Sequence, residues 1–142
     1  MNKLILDKKV DSILRSIKRV ESHTPEDVEI FLKDIDAQDI VTLNLTRIIQ
    51  SSVDIAMHII ATSNAETPQT MSESFDTLKK LSIIDKETTI KLKKSIGFRN
   101  IAVHNYGELD LELTHTIAHK HLNDFKHYIE QILVYSPPSE KT

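Results

Sequence analysis

The stretch "DAQDIVTLNLTRIIQSSVDIAMHIIAT" (residues 36–62) decides the fold class, because its apolar residues recur at helical spacing. Asp36 is a suitable cap for the start of a helix, and the polar run that begins at Thr62 marks its end. Apolar side chains fall on one broad face of this long helix, namely Ile40, Leu43, Ile48, Val53, Ile55, Ile59 and Ile60. A helix with so wide an apolar face has to be covered by other helices.

The segments on both sides of this helix show the same periodicity. We expect further helices over residues 3–22, about 26–33, 86–104 and about 110–135, with a short helix that begins after Thr70. The expected N-terminal caps are polar residues that directly precede each pattern: Thr24, Thr70, Asp85 and Asp110. Gly107 is the expected stop after the helix over residues 86–104, since glycine readily adopts the backbone conformation that ends helices.

The composition favours long helices. The 142-residue chain has only two glycines and four prolines, which is not typical of a many-turned β fold. We therefore predict an all-α protein, an up-and-down bundle of four main helices with additional short helices. Residues 1–135 are expected to form one domain, and residues 136–142, "SPPSEKT", a flexible tail. The chain has no cysteine, which fits a cytoplasmic protein, and its charged N-terminus resembles neither a signal peptide nor a membrane span.

The charge of the chain is unevenly distributed. From Lys79 to Arg99 there are seven cationic residues and two acidic ones, a net charge of +5, whereas the whole chain carries −3. A segment of this kind can bind the phosphates of a nucleic acid. A lysine-rich face that is simply exposed to solvent would have the same composition, so both interpretations stay open.

The helix expected over residues 86–104 is apolar on two sides when its residues are placed 100° apart. One side carries Leu92, Ile96, Arg99, Val103 and Tyr106, and the other carries Ile90, Phe98 and Ile101. The first side can pack on the bundle. The second side then needs a neighbouring helix or a second subunit to cover it.

Arg99 and His104 are the chemically capable side chains of this helix. Arg99 lies within an apolar stripe, so it should reach an acidic partner or line a solvated cleft. His104 lies five residues further on, about 140° around a regular helix. One chain therefore does not bring the two side chains together, unless the helix frays before Gly107. A two-fold dimer packed through this helix would place two copies of each in one groove.

The sequence "RNIAVHNY" (residues 99–106) has the pattern Arg-x4-His-x-Tyr, with asparagine directly after the arginine. This pattern closely resembles the signature of HEPN domains, and specifically that of the HepT toxins, the ribonuclease partners of minimal nucleotidyltransferase (MNT) antitoxins. The length, the all-helical pattern and the run "GELDLE" after the tyrosine are also similar to that family. In architecture the resemblance covers nearly the whole chain, and its specific part is the stretch over residues 99–110.

The resemblance implies the toxin of a type II or type VII-like toxin–antitoxin pair, which cleaves RNA as a homodimer without metal or another cofactor. Arg99 would bind the scissile phosphate, and His104 would act as general acid and base for attack by the ribose 2′-hydroxyl, with Asn100 as a polar helper. Tyr106 would be the residue to which the cognate nucleotidyltransferase adds AMP, which silences the toxin. The alternative is a non-catalytic HEPN subunit that binds nucleotide or supports a nucleotidyltransferase.

Three further histidines, His115, His119 and His121, lie in the predicted last helix. His115 and His119 are four residues apart, a spacing that metal ligands use on a helix. No carboxylate completes a third ligand position with obvious geometry, so we expect surface histidines and no metal site.

Overall fold

The computed structural model describes residues 3–135, and that part of the chain is helical throughout apart from short connections. Its α-helices are α1 (Lys3–His23), α2 (Val28–Phe31), α3 (Ile35–Ala61), α4 (Met71–Lys80), α5 (Lys86–His104), α6 (Leu111–Lys120) and α7 (Leu122–Val134). A 3₁₀ turn, Tyr106–Glu108, follows α5. The predicted all-α class is confirmed. The tail predicted for residues 136–142 lies outside the described residues.

The bundle consists of α1, α3, α5 and the α6–α7 pair, with α1 packed along α3, and α5 packed on both α3 and α7. Two hydrogen bonds show which ends of neighbouring helices lie side by side. The backbone N–H of Asp85, at the start of α5, donates to Gln131 near the end of α7, and Tyr106, just after α5, reaches Asp39 near the start of α3. Helix α5 therefore runs antiparallel to both neighbours, and the predicted up-and-down bundle with additional short helices is confirmed.

Helix α3 forms the centre of the core, as its sequence predicts. Ile48, Ile55 and Ile59 are completely buried, whereas Leu43 is half exposed. None of the helices within residues 3–135 combines the length and the apolar character that a membrane crossing requires.

The helix caps follow short-range rules, with two shifts from the prediction. Thr70, Asp85 and Asp110 each accept a hydrogen bond from the backbone N–H three residues on, as expected. The predicted cap at Asp36 is wrong: α3 begins two residues earlier, because Asp34 is extended and its carboxylate accepts from the N–H of Ala37. Helix α2 is likewise shorter than predicted, and the cap that precedes it is Asp27 rather than Thr24.

The predicted last helix is interrupted at His121, which separates α6 from α7. His121 has φ −116° and ψ 10°, outside the helical range, and its N–H still bonds to the carbonyl of Ile117. The break has a tertiary cause, since α6 packs against α1, α2 and α3 while α7 packs against α5. One straight helix could not follow both surfaces.

The predicted helix stop at Gly107 is also wrong. Helix α5 ends at His104, and Asn105 leaves the helical region with φ −152° and ψ 56°. Gly107 then lies inside the 3₁₀ turn and does not adopt a positive φ. The chain therefore turns because of Asn105 and the following 3₁₀ hydrogen bonds, one residue before the tyrosine of the signature.

Tyr128 is a fully buried residue whose hydroxyl donates to the carbonyl oxygen of Ser52 at 2.8 Å. Its ring meets Phe75 edge to face, with the centroids 5.8 Å apart. We expect Tyr128→Phe to lower the free energy of unfolding by about 1 kcal/mol, because the ring packing stays and one buried hydrogen bond is lost. Urea unfolding measures this, with Tyr135→Phe as the matched tyrosine control. No change in unfolding free energy would show that the buried bond contributes nothing.

Candidate active site

Arg99 lies in the second half of α5 and is partly buried. Its Nη1 donates to Oδ1 of Asn100 at 3.2 Å, and its Nε is buried without a hydrogen-bond partner in residues 3–135. No carboxylate within that part of the chain forms an ion pair with the guanidinium. A buried N–H donor without a partner is costly, and an anionic ligand would satisfy it.

His104 is the last residue of α5 and is exposed. Helix α5 is continuous from Lys86 to His104, so the predicted alternative in which the helix frays and turns His104 inward is wrong. The angle of about 140° between Arg99 and His104 around a regular helix therefore applies. Asn100 lies beside Arg99, but one chain does not bring His104 to them.

Tyr106 follows two residues after His104 and lies in the 3₁₀ turn, with 47% of its surface exposed. Its hydroxyl donates to Oδ1 of Asp39 at 2.5 Å, a contact between residues 67 positions apart in sequence. Partial burial, followed by the hydrogen bond to Asp39 and the charge of that carboxylate, raises the pKa of Tyr106 above its ordinary value, against a smaller opposite effect of the Thr42 hydroxyl.

Asp39 is a residue of this site that sequence reasoning missed. It lies in the first turns of α3, between the buried Gln38 and the partly buried Ile40, and nothing in its local sequence relates it to Tyr106. Only the antiparallel packing of α3 and α5 brings the two residues together. A single sequence shows no pattern that links two residues so far apart.

The basic segment is partly neutralised by ion pairs. Lys91 bonds to Glu87 at 2.9 Å and lies 3.3 Å from Asp124, and Lys93 bonds to Asp76 at 2.9 Å. The remaining lysines of the segment, which form no ion pair in the described part of the chain, are Lys79, Lys80, Lys86 and Lys94. A phosphate at this segment would therefore meet fewer unpaired cations than the sequence composition suggests.

The two apolar sides predicted for α5 are only partly confirmed. Phe98, predicted for the second side, is only 5% exposed and belongs to the core. Val103, predicted for the side that packs on the bundle, is 46% exposed. Ile90 and Ile101 remain 45% and 44% exposed. Gly97 lies between them on the same face, and a Cβ added to it would meet nothing within 4 Å among the described residues. We call Ile90, Gly97 and Ile101 the outer face of α5.

The prediction that all three histidines of "HTIAHKH" are surface residues is wrong for His115. Its exposure is 7%, its Nε2 lies 2.6 Å from the carbonyl oxygen of Pro25, and its ring contacts Phe31. His115 therefore connects α6 to α2 and to the segment between α1 and α2 as a structural residue. His119, which is exposed, stacks on His115 with centroids 5.4 Å apart. Within residues 3–135, no three histidine or acidic side chains form a group that could hold a metal ion.

Comparison with known proteins shows the family to which this chain belongs. Residues 13–132 match the family described as ribonuclease HepT-like. The mRNA nuclease HepT of Shewanella oneidensis is 38% identical over 93% of this chain and 98% of its own length. The tRNA nuclease HepT of Aphanizomenon flos-aquae is 25% identical over 93% of this chain and 90% of its own length.

The solved structure of a tri-AMPylated Shewanella oneidensis HEPN toxin, in complex with its MNT antitoxin, superposes with a TM-score of 0.87. The alignment covers 95% of this chain and 100% of that toxin chain, at 37% identity. One class of protein, the HEPN ribonucleases, shares this fold and this sequence similarity. The chain belongs to the HepT-like family of HEPN ribonucleases.

Proposed function

We propose that this chain is the toxin of a toxin–antitoxin pair and cleaves RNA with Arg99 and His104, without a metal ion. The observation that carries the proposal is the state of Arg99: a guanidinium with no acidic partner in residues 3–135 and a buried Nε that lacks a hydrogen bond. The phosphodiester of RNA would supply the missing acceptor. The family to which the chain belongs is one of ribonucleases.

The proposed chemistry uses the ribose 2′-hydroxyl as the nucleophile. His104 accepts the proton of the 2′-hydroxyl while the 2′-oxygen attacks the adjacent phosphorus. Arg99 stabilises the charge that develops on the phosphate oxygens. The bond to the 5′-oxygen of the next nucleotide breaks, and that oxygen takes a proton from a second imidazole. Asn100 holds one arm of the guanidinium through the 3.2 Å bond to Nη1.

The second imidazole comes from a second copy of the chain in this proposal. Arg99 and His104 diverge on one helix, so two copies of α5 are needed to form one cleft. The outer face of α5 offers a surface for that second copy on the side of His104, because two half-exposed isoleucines flank a glycine at which an added Cβ would meet nothing within 4 Å in residues 3–135. Ile101 is three residues from His104, so a copy packed on this face would lie beside the imidazole.

An Ile101→Arg variant tests the homodimer. We expect its dissociation constant to rise by about 100-fold or more, because a cation would be buried in an apolar contact. Leu133→Arg is the matched control, since Leu133 is an apolar residue of α7 with 55% exposure. Analytical ultracentrifugation measures both variants. A wild type that sediments as a monomer at micromolar concentration, or equal dissociation of both variants, would refute a dimer through this face.

The partner in this proposal is an MNT-type nucleotidyltransferase that adds AMP to Tyr106. The Shewanella oneidensis relative is tri-AMPylated in its complex with an MNT antitoxin. In this chain Tyr106 is two residues from His104, and 47% of the residue's surface is exposed, so a transferase could reach it. RNA and ATP are both cytoplasmic, and a cytoplasmic location is part of the same proposal.

The activity itself is tested with the purified chain and single-stranded RNA of mixed sequence. We expect shorter fragments on a denaturing gel that increase with time and with enzyme concentration. RNA that stays intact under all conditions would favour the non-catalytic HEPN subunit instead.

A further inference from the structure

The contact between Tyr106 and Asp39 has no evident role in stabilising the fold. Its hydroxyl–carboxylate distance is 2.5 Å, but both residues are exposed. An exposed hydrogen bond of this kind adds little to the free energy of unfolding. Asp39 also does not cap α3, since Asp34 does so.

The carboxylate of Asp39 has no cationic partner in residues 3–135, although lysines and arginines are frequent in the chain. Within the described part of the chain, this carboxylate accepts one hydrogen bond, from the hydroxyl on which AMP transfer would occur. The antiparallel packing of α3 and α5 places that carboxylate next to the 3₁₀ turn that carries Tyr106. The pair thus has the geometry of a nucleophile beside a proton acceptor.

We propose that Asp39 is the proton acceptor that orients and activates the Tyr106 hydroxyl when it receives AMP, a proposal that rests on the proposed modification of Tyr106. The toxin would then contribute a group to its own modification. The antitoxin would supply the bound ATP and its metal ions, and the toxin would supply both nucleophile and base.

The step is a transfer of an adenylyl group. Oη of Tyr106 attacks the α-phosphorus of ATP, and the Oη–P bond forms. The bond from that phosphorus to the oxygen that bridges to the β-phosphate breaks, and pyrophosphate leaves with the electron pair. The phenolic proton passes to Oδ1 of Asp39 and from there to water.

A proton acceptor is needed because the phenol does not ionise by itself at neutral pH. The pKa of Tyr106 lies above its ordinary value through partial burial and through Asp39. The phenolate is therefore scarcer than in an unperturbed tyrosine, and a base within hydrogen-bond distance offsets this. Removal of the carboxylate has two opposite effects: it makes the phenol more acidic, but it takes away the base.

These opposite effects make Asp39→Asn a decisive variant. If Asp39 accepts the proton, we expect the rate of the first AMP addition at pH 7 to fall by about 100-fold. The rate of the variant should then increase with pH from 7 to 9, as phenolate forms, while the wild type changes little. If the carboxylate acted only through its charge, the variant would be modified as fast as the wild type or faster.

The measurement uses the full chain, ATP, magnesium and the MNT antitoxin of the Shewanella oneidensis pair, with intact-mass detection of the first added group. Asp36→Asn is the matched control, because it removes an exposed carboxylate one turn earlier on α3. Asp39→Glu should recover part of the rate. Binding of each variant to the antitoxin, measured by calorimetry, should be equal, so that the loss lies in turnover and not in affinity.

The possible failures are distinguishable. If the wild-type chain gains no mass, or if the Tyr106→Phe variant gains the same mass as the wild type, the proposed modification of Tyr106 is refuted. The inference about Asp39 is then refuted as well. If wild type is modified but Asp39→Asn is modified at the same rate with the same pH profile, only the role of Asp39 is refuted. An equal loss for Asp36→Asn would also refute it, because the effect would then be one of local charge.

Discussion

Replacing His104 with alanine should lower the rate of RNA cleavage by about 10²–10⁴-fold, the usual contribution of a general acid or base. The fold should be unaffected, since the imidazole is exposed at the end of α5. His127→Ala is a suitable control, because His127 is exposed on α7. Initial rates on a labelled RNA measure the effect, and circular dichroism checks the fold. Equal rates for wild type and His104→Ala would exclude His104 from the chemistry.

The same experiment on Arg99 separates charge from geometry. Arg99→Ala should lose activity to a similar degree, because the developing charge on the phosphate is no longer stabilised. Arg99→Lys should recover only part of it, since an ammonium group cannot form the two parallel bonds of a guanidinium. Full activity of Arg99→Lys would mean that a positive charge is sufficient at this position.

Tyr106→Phe should abolish the addition of AMP and leave RNA cleavage within a few-fold of wild type. The phenol oxygen is the proposed acceptor, and the ring itself has no proposed role in cleavage. We therefore expect a host that expresses this variant to stay growth-inhibited when the antitoxin is present, whereas wild-type toxin is silenced. Intact-mass measurement after incubation with antitoxin and ATP gives the direct reading, with Tyr135→Phe as the control. Neutralisation of Tyr106→Phe without any mass increase would show that binding alone silences the toxin.

In the proposed regulation, silencing would follow from the charge that AMP on Tyr106 brings to the site. Tyr106 is two residues from His104, and a phosphodiester there would face the incoming RNA phosphate. Two unit charges 4 Å apart repel by roughly 1 kcal/mol in water and about 4 kcal/mol near a protein surface. The added nucleoside would also occupy space at the end of α5. Both effects weaken RNA binding, so high salt should relieve part of the inhibition.

Local features of the fold were predictable because the forces that set them are local. Thr70, Asp85 and Asp110 cap the helices that follow them through bonds to a backbone N–H three residues away. The predicted cap at Asp36 was wrong, because the extended backbone lies two residues earlier, at Asp34, whose carboxylate accepts from the N–H of Ala37.

Features that depend on distant residues were not predictable. The break at His121 contains no glycine or proline, and it arises because α6 and α7 follow different surfaces of the bundle. His115 is buried, and its Nε2 donates a hydrogen bond to the carbonyl oxygen of Pro25, which is 90 positions away in sequence. The pairing of Tyr106 with Asp39 has the same origin. The signature residues could be found from their spacing, whereas their neighbours could not.

The central claim is that the chain cleaves RNA by attack of the 2′-hydroxyl without a metal ion. End-group analysis of products formed in the presence of EDTA tests it most directly. We predict that cleavage continues in EDTA and leaves a 2′,3′-cyclic phosphate on one fragment and a 5′-hydroxyl on the other. Loss of cleavage in EDTA, or products with a 3′-hydroxyl and a 5′-phosphate, would contradict it.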